Sequence, residues 1–256
     1  MTVIVGFVGP NGAVMCSDSQ GTEGGDDTRH EAEKIWEAGG LLFGYSGYGA
    51  VKEPLMVTIS SALSSIGRQP TRWEARDLLA KANQPVLRNA YENFVPARAG
   101  EDARMMAGHL LVIGHDDSGY WLLELDGNNI ATFYTDRGFH TVGSGSVAAQ
   151  VARGLLAHYE PAGRNVAHLK LLAYRTVETC IDVLGGRWGI GGRPLMWYSE
   201  AGDPFTEASD GELAATQNAV GGWTLIERES LDKAFPDSPG GGNEETLEGD
   251  LPAPRE

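Results

Sequence analysis

Thr2-Val3-Ile4-Val5-Gly6-Phe7-Val8 is apolar almost without a break. A half-exposed strand alternates polar with apolar residues, whereas a continuous apolar run suits a strand covered on both faces. The chain therefore needs layers on either side of its first strand. Pro10-Asn11-Gly12 follows as a hairpin signal, since both central residues of a type I′ turn need positive φ. Ala13-Val14-Met15-Cys16-Ser17-Asp18 returns beside it. A second hairpin is predicted from Lys34-Ile35-Trp36-Glu37, a turn at Gly39-Gly40, and Leu41-Leu42-Phe43-Gly44-Tyr45-Ser46.

The periodicity then changes. Val51, Leu55, Ile59, Leu63 and Ile66 predict a helix from Ala50 to Ile66, with Gly67 as its stop. Thr71-x-x-Glu74 is a capping box opening a helix with Ala75, Leu78, Ala82, Val86 and Ala90 on one face, which Pro85 should kink or split. Residues 95–107 read as a loop. Strands resume at His109–Gly114, Tyr120–Leu125, Ile130–Tyr134 and Phe139–Val142, with His115-Asp116-Asp117 as a solvated turn. Helices are predicted at 146–157, capped by Ser146, and at 164–184, with Cys180 on the buried stripe. A Gly-rich turn, Gly185 to Gly192, leads into a strand at Pro194–Tyr198. Strands, two helices, strands, two helices and a strand make an α+β fold: two antiparallel sheets facing each other with helices outside, a four-layer αββα sandwich.

Residues 236–256 are Pro- and Gly-rich and acidic, so they predict a disordered tail. Residues 1–235 are left as one domain. Lys and Arg number 20 against 35 Asp and Glu, a net charge of −15, which disfavours nucleic acid as a partner. No apolar run approaches the roughly 20 residues of a bilayer span. The N-terminus lacks a basic segment and a long apolar one, and the two cysteines cannot make a disulfide framework, so a cytoplasmic protein is expected. The six histidines form no H-E-x-x-H or close Cys pairing, so no metal is expected. Gly143-Ser144-Gly145-Ser146-Val147-Ala148 mimics a dinucleotide fingerprint, but no strand ending in an acid follows, so no nucleotide cofactor is expected.

The hairpins gather the chemistry at one end. With Asn11-Gly12 as a two-residue loop, Thr2 faces Gly21, and Asp18 needs a twist or bulge to reach Thr2. With Gly39-Gly40 as the second loop, Lys34 faces Tyr45, next to Ser46-Gly47. Thr2, Asp18, Lys34 and Gly47 then meet if the hairpins lie side by side. Removal of Met1 would make Thr2 the N-terminus. Its α-amine, with an ordinary pKa of about 7.7–8.0, could act as base to its own hydroxyl. Lys34 would lower the pKa of that amine, Asp18 would balance Lys34, and the Gly47 N–H could receive an oxyanion.

Thr2-Val3-Ile4-Val5-Gly6, Ser17-Asp18-Ser19, Lys34-Ile35, Tyr45-Ser46-Gly47 and Gly143-Ser144-Gly145-Ser146, followed by a helix, resemble the β-type proteasome subunits and the related bacterial ATP-dependent peptidase ring. The resemblance covers roughly residues 2–200. It implies the N-terminal nucleophile hydrolase fold and a threonine-type endopeptidase. Catalysis would rest on Thr2, Asp18, Lys34, Gly47 and Ser144, the last with its hydroxyl near the terminal amine. It further implies a polypeptide substrate, self-assembly into rings, an ATP-dependent unfoldase as partner, and no metal or cofactor. Where that family carries an Asp and a Ser before a Gly-Gly pair, this sequence has Arg187 and Ile190 before Gly191-Gly192. That departure motivates two alternatives: a ring component without activity of its own, and an amidase of the same chemistry acting on small molecules.

Overall fold

The computed structural model describes residues 2–23, 28–94, 108–157, 165–185 and 189–234. The predicted loop at 95–107 and tail at 236–256 lie outside them, as does Arg187. The chain divides into a unit spanning Met1–Val220 and a second beginning at Gly221.

The first strand, β1 (Ile4–Gly9), is interior, as its composition requires: Ile4, Val5 and Phe7 are fully buried. It pairs with β2 (Gly12–Asp18) in an antiparallel sheet of five strands. The others are β10 (Phe139–Val142) beside β1, then β11 (Pro194–Glu200) and β12 (Thr206–Glu207) beyond β2. A second five-stranded antiparallel sheet runs β5 (Ile35–Ala38), β6 (Leu41–Ser46), β7 (His109–Asp116), β8 (Gly119–Leu125) and β9 (Ala131–Phe133). Between β2 and β5 lies a two-stranded ribbon, β3 (Gln20–Glu23) and β4 (Thr28–Glu31), that the sequence reading did not assign.

Alternation along each strand divides the apolar residues between two cores. Ile4, Val8, Ala13 and Met15 of the first sheet share a cluster with Ile35, Leu42, Leu111, Ile113 and Leu122 of the second. The opposite face of the second sheet, with Phe43, Val112, Trp121 and Leu123, packs against α1 (Gly49–Ser64) and α2 (Arg72–Asn89). The other face of the first sheet meets α4 (Val166–Leu184), against which α3 (Ser146–Leu156) packs. The result is a mixed α/β fold of antiparallel sheets and helices. Among the described residues, no helix is long and apolar enough to cross a membrane.

The turn at Gly39-Gly40 has the expected register, with both glycines at positive φ (60° and 78°). The first hairpin does not. Gly9 pairs with Gly12, so Pro10 and Asn11 form the loop. Asn11 is not at positive φ, and Pro10, with φ held near −65°, suits the first central position of a type I turn. The shift brings Asp18 beside Val3, the residue after Thr2, and its bonds run to Val3 rather than to Thr2 itself.

Other local expectations are met or corrected. The Thr71–Glu74 capping box forms, and α1 buries Val51, Leu55, Ile59 and Leu63. α2 runs through Pro85 unsplit, since Ala82, Val86 and Leu87 hold its apolar face; Leu79 rather than Leu78 is fully buried. A π-helical turn, Ala90–Phe94, follows. Ser146 is the first residue of α3 rather than its cap; Gly145 holds that place without a side-chain hydrogen bond. Asp116 is no solvated turn residue. Its carboxylate accepts from the Arg72 backbone N–H at 3.1 Å and from the Arg72 guanidinium at 3.0 Å, tying the β7–β8 turn to the start of α2. The sequence reading also missed the helix α5 (Asp210–Ala234), whose start is marked by Ser209 and Glu212.

Candidate active site

Asp18 is the hub of the site. It ends β2, is fully buried, and lies opposite Pro194 of β11. Oδ1 accepts from the Val3 backbone N–H at 2.9 Å and from Lys34 Nζ at 2.6 Å. Oδ2 accepts from the Gly191 backbone N–H at 3.2 Å. The Asp18 N–H returns a bond to the Val3 carbonyl at 3.3 Å. A buried carboxylate is tolerated where donors surround it, and here three chain segments supply them.

Lys34 precedes β5, and its side chain is only 7% exposed. Its carbonyl accepts from Tyr45 N–H at 3.0 Å, as the second hairpin's register predicts. Burial holds its pKa below the ordinary lysine value. Asp18 opposes that shift, and the Lys52 ammonium adds to it. Lys52 itself donates to the Glu33 carbonyl and sits 5.7 Å from the Trp36 ring centroid.

Thr2 is half-buried and gripped through its backbone. Its nitrogen donates to Ser144 Oγ at 3.1 Å. Its carbonyl accepts from Gly145 N–H at 3.1 Å and from Ser144 Oγ–H at 3.4 Å. Ser144 thus contacts Thr2 instead of capping a helix. Gly143, at φ 102°, leaves the space for this contact: a Cβ there would overlap the Thr2 carbonyl oxygen and come within 3.0 Å of Ser46 Oγ. Gly143→Ala is therefore expected to lower the unfolding free energy by about 2–3 kcal/mol, read from the urea midpoint. An unchanged midpoint would contradict the close approach.

Gly47 is exposed, between β6 and α1. A Cβ on it would lie 2.6 Å from Gly108 Cα and would overlap the Tyr45 hydroxyl, so only glycine fits. Its neighbour Ser46 adjoins Gly143, which sets Gly47 on the rim of the same cluster. Direct bonds join Thr2 to Ser144 and Asp18 to Lys34, and Val3, next to Thr2, links the two pairs by donating to Asp18; Gly47 lies beside Ser46. The sequence reading missed the Gly191 donor. Ile190, 1% exposed, packs toward Val3 and Gly145. Among the described residues, no group of three His, Cys, Asp or Glu side chains is arranged to hold a metal.

The fold and the cluster define a mixed α/β protein of antiparallel sheets and helices that holds residue 2 at the junction of both sheets. No protein-family model and no curated protein matches the sequence. Among solved structures the chain is similar to an Anbu (Gly-1) mutant from Hyphomicrobium sp. strain MC1. The TM-score is 0.68 at 15% identity, over 91% of this chain and 99% of that one. At that identity the likeness is one of fold.

Proposed function

We propose that the protein is an N-terminal nucleophile hydrolase of the four-layer αββα type, acting as a threonine endopeptidase once whatever precedes Thr2 is removed. The observation that carries this reading is the Asp18 carboxylate, which binds Lys34 and the backbone next to Thr2 while Ser144 meets the Thr2 nitrogen. The fold likeness to Anbu supports it.

In this mechanism the freed Thr2 amine accepts the proton of its own hydroxyl as Oγ1 attacks the scissile carbonyl carbon. The carbonyl oxygen takes the electron pair, and the Gly47 N–H donates to it. The tetrahedral intermediate collapses, the C–N bond breaks, and the amine passes the proton to the leaving nitrogen. Water then attacks the Thr2 ester by the same route and restores the hydroxyl. Lys34 raises the positive potential around the amine, Asp18 fixes Lys34 in place, and Ser144 orients the amine nitrogen. The substrate is a polypeptide, and self-assembly into rings with an unfoldase partner belongs to the same reading.

Ile190 favours a second reading, a ring component without activity, because it places an apolar side chain where the resembling family carries a hydroxyl. Labelling separates the two. A threonine-directed electrophile is expected to add one equivalent to the full protein, mapped by peptide mass spectrometry to a Thr2 that begins the chain. No adduct at Thr2, or a residue still bonded to its nitrogen throughout, would overturn the peptidase.

A further inference from the structure

Away from Asp18, a second, partly buried carboxylate joins the two sheets. Glu124 of β8 accepts from His109 Nδ1 of β7 at 2.7 Å on one oxygen and from His140 Nε2 of β10 at 2.6 Å on the other. Its side chain is 13% exposed, His140's is 12% and His109's is 44%. β10 belongs to the first sheet, β7 and β8 to the second. Tyr134 stacks on His140, with ring centroids 3.5 Å apart and planes within 5°, which fixes the imidazole's orientation. Burial pushes Glu124 up, but the bonds from His109 and His140 outweigh it and hold its pKa at about 2. Glu124 in turn raises His109, against burial and with help from Asp126. Tyr134, itself raised by burial and Glu124, and Arg137, which lies 5.6 Å from the Tyr134 ring, complete the charged surroundings.

The two imidazoles sit on strands whose ends carry the candidate site: His109 begins β7, and His140 lies two residues before the end of β10. His109 pairs with Ser46, which is followed by Gly47. Gly108, just before it, lies against Gly47. His140 pairs with Gly6 and leads through Val142, opposite Ile4, to Gly143 and Ser144. We propose that Glu124 is a positioning residue: through His109 and His140 it sets the gap between the Ser46–Gly47 segment and the Gly143–Ser144 segment. The bond geometry makes it a clamp between sheets, closed by a charge-assisted bond whenever a histidine is protonated. This rests on the proposed function only for its consequence to catalysis; the clamp is testable without it.

The test is amide hydrogen exchange on the full chain, corrected for intrinsic rates and followed from pH 5.5 to 8. The wild type is compared with Glu124→Gln and with the milder His140→Gln. Protection at Tyr45 and Val51, which flank Ser46–Gly47, and at Gly145 and Ser146, which follow Gly143–Ser144, all four amides with backbone acceptors, is expected to fall about tenfold in both variants, while Val14–Ser17 of β2 keeps its own. In the wild type, protection at the four amides should drop as His109 loses its proton above its ordinary value; in Glu124→Gln that pH step should vanish. A uniform loss across both sets, no loss, or a pH step retained in Glu124→Gln would overturn the clamp. The Thr2 labelling rate, read on the same samples, is expected to fall in both variants. If the wild type itself takes no label, the peptidase fails while the exchange comparison still decides the clamp.

Discussion

Asp18→Asn is expected to lower the free energy of unfolding by about 3–5 kcal/mol at neutral pH, read as a drop in urea midpoint at unchanged slope. The amide keeps the shape of the carboxylate, but one of its ends becomes a donor. Either Gly191 or the Val3–Lys34 pair then loses its acceptor, and the Lys34 ammonium is left buried without a counter-charge. The pH dependence has a definite sign. Burial already holds Lys34 below the ordinary 10.5, with Asp18 opposing. Between the native value and 10.5 the unfolded chain binds more protons than the native one, so stability rises with pH in that window. Without Asp18 the native value falls further and the window widens. The variant's deficit should therefore narrow as alkaline pH discharges Lys34. A deficit that stays constant up to pH 10.5 would show that the charge of Lys34 is not its source.

On the proposed reading, Thr2→Ala should abolish peptide hydrolysis, with a loss of at least about 10³-fold in kcat, because the attacking oxygen would be gone and nothing replaces it. Stability should hold within about 0.5 kcal/mol. The reason is structural: Ser144 and Gly145 grip the backbone of Thr2, and Asp18 that of Val3, so all those bonds survive in alanine. Thr2→Ser keeps the hydroxyl and should retain a measurable rate. Equal turnover in the wild type and Thr2→Ala would exclude residue 2 as nucleophile. No turnover in either, with no label on Thr2, would leave the inactive ring component.

Local signals carried much of the fold. Gly39-Gly40 determined its hairpin's register because two adjacent positive-φ positions accept few other residues. Thr71-x-x-Glu74 determined a helix start because its two hydrogen bonds are made within four residues. Pro10 was less legible: Asn11-Gly12 is a strong turn signal, and only the choice of loop pair decided the register, hence whether Asp18 reached Thr2's neighbour. The Asp18–Lys34 pairing was legible from spacing and resemblance. The Gly191 donor was not, since it arrives from a segment 173 positions away. Glu124 also escaped, because its partners lie 15 and 16 positions off with no periodic relation. The helix at Asp210–Ala234 was overlooked although Ser209 and Glu212 repeat the pattern seen at Thr71.

The grip on Thr2 has a practical side. Ser144 Oγ sits against the nitrogen to which any upstream fusion partner would be bonded. On the proposed reading, an affinity tag placed there would keep that nitrogen an amide and crowd the serine, so a recombinant protein handled that way would show no turnover. Tags belong at the opposite end of the polypeptide.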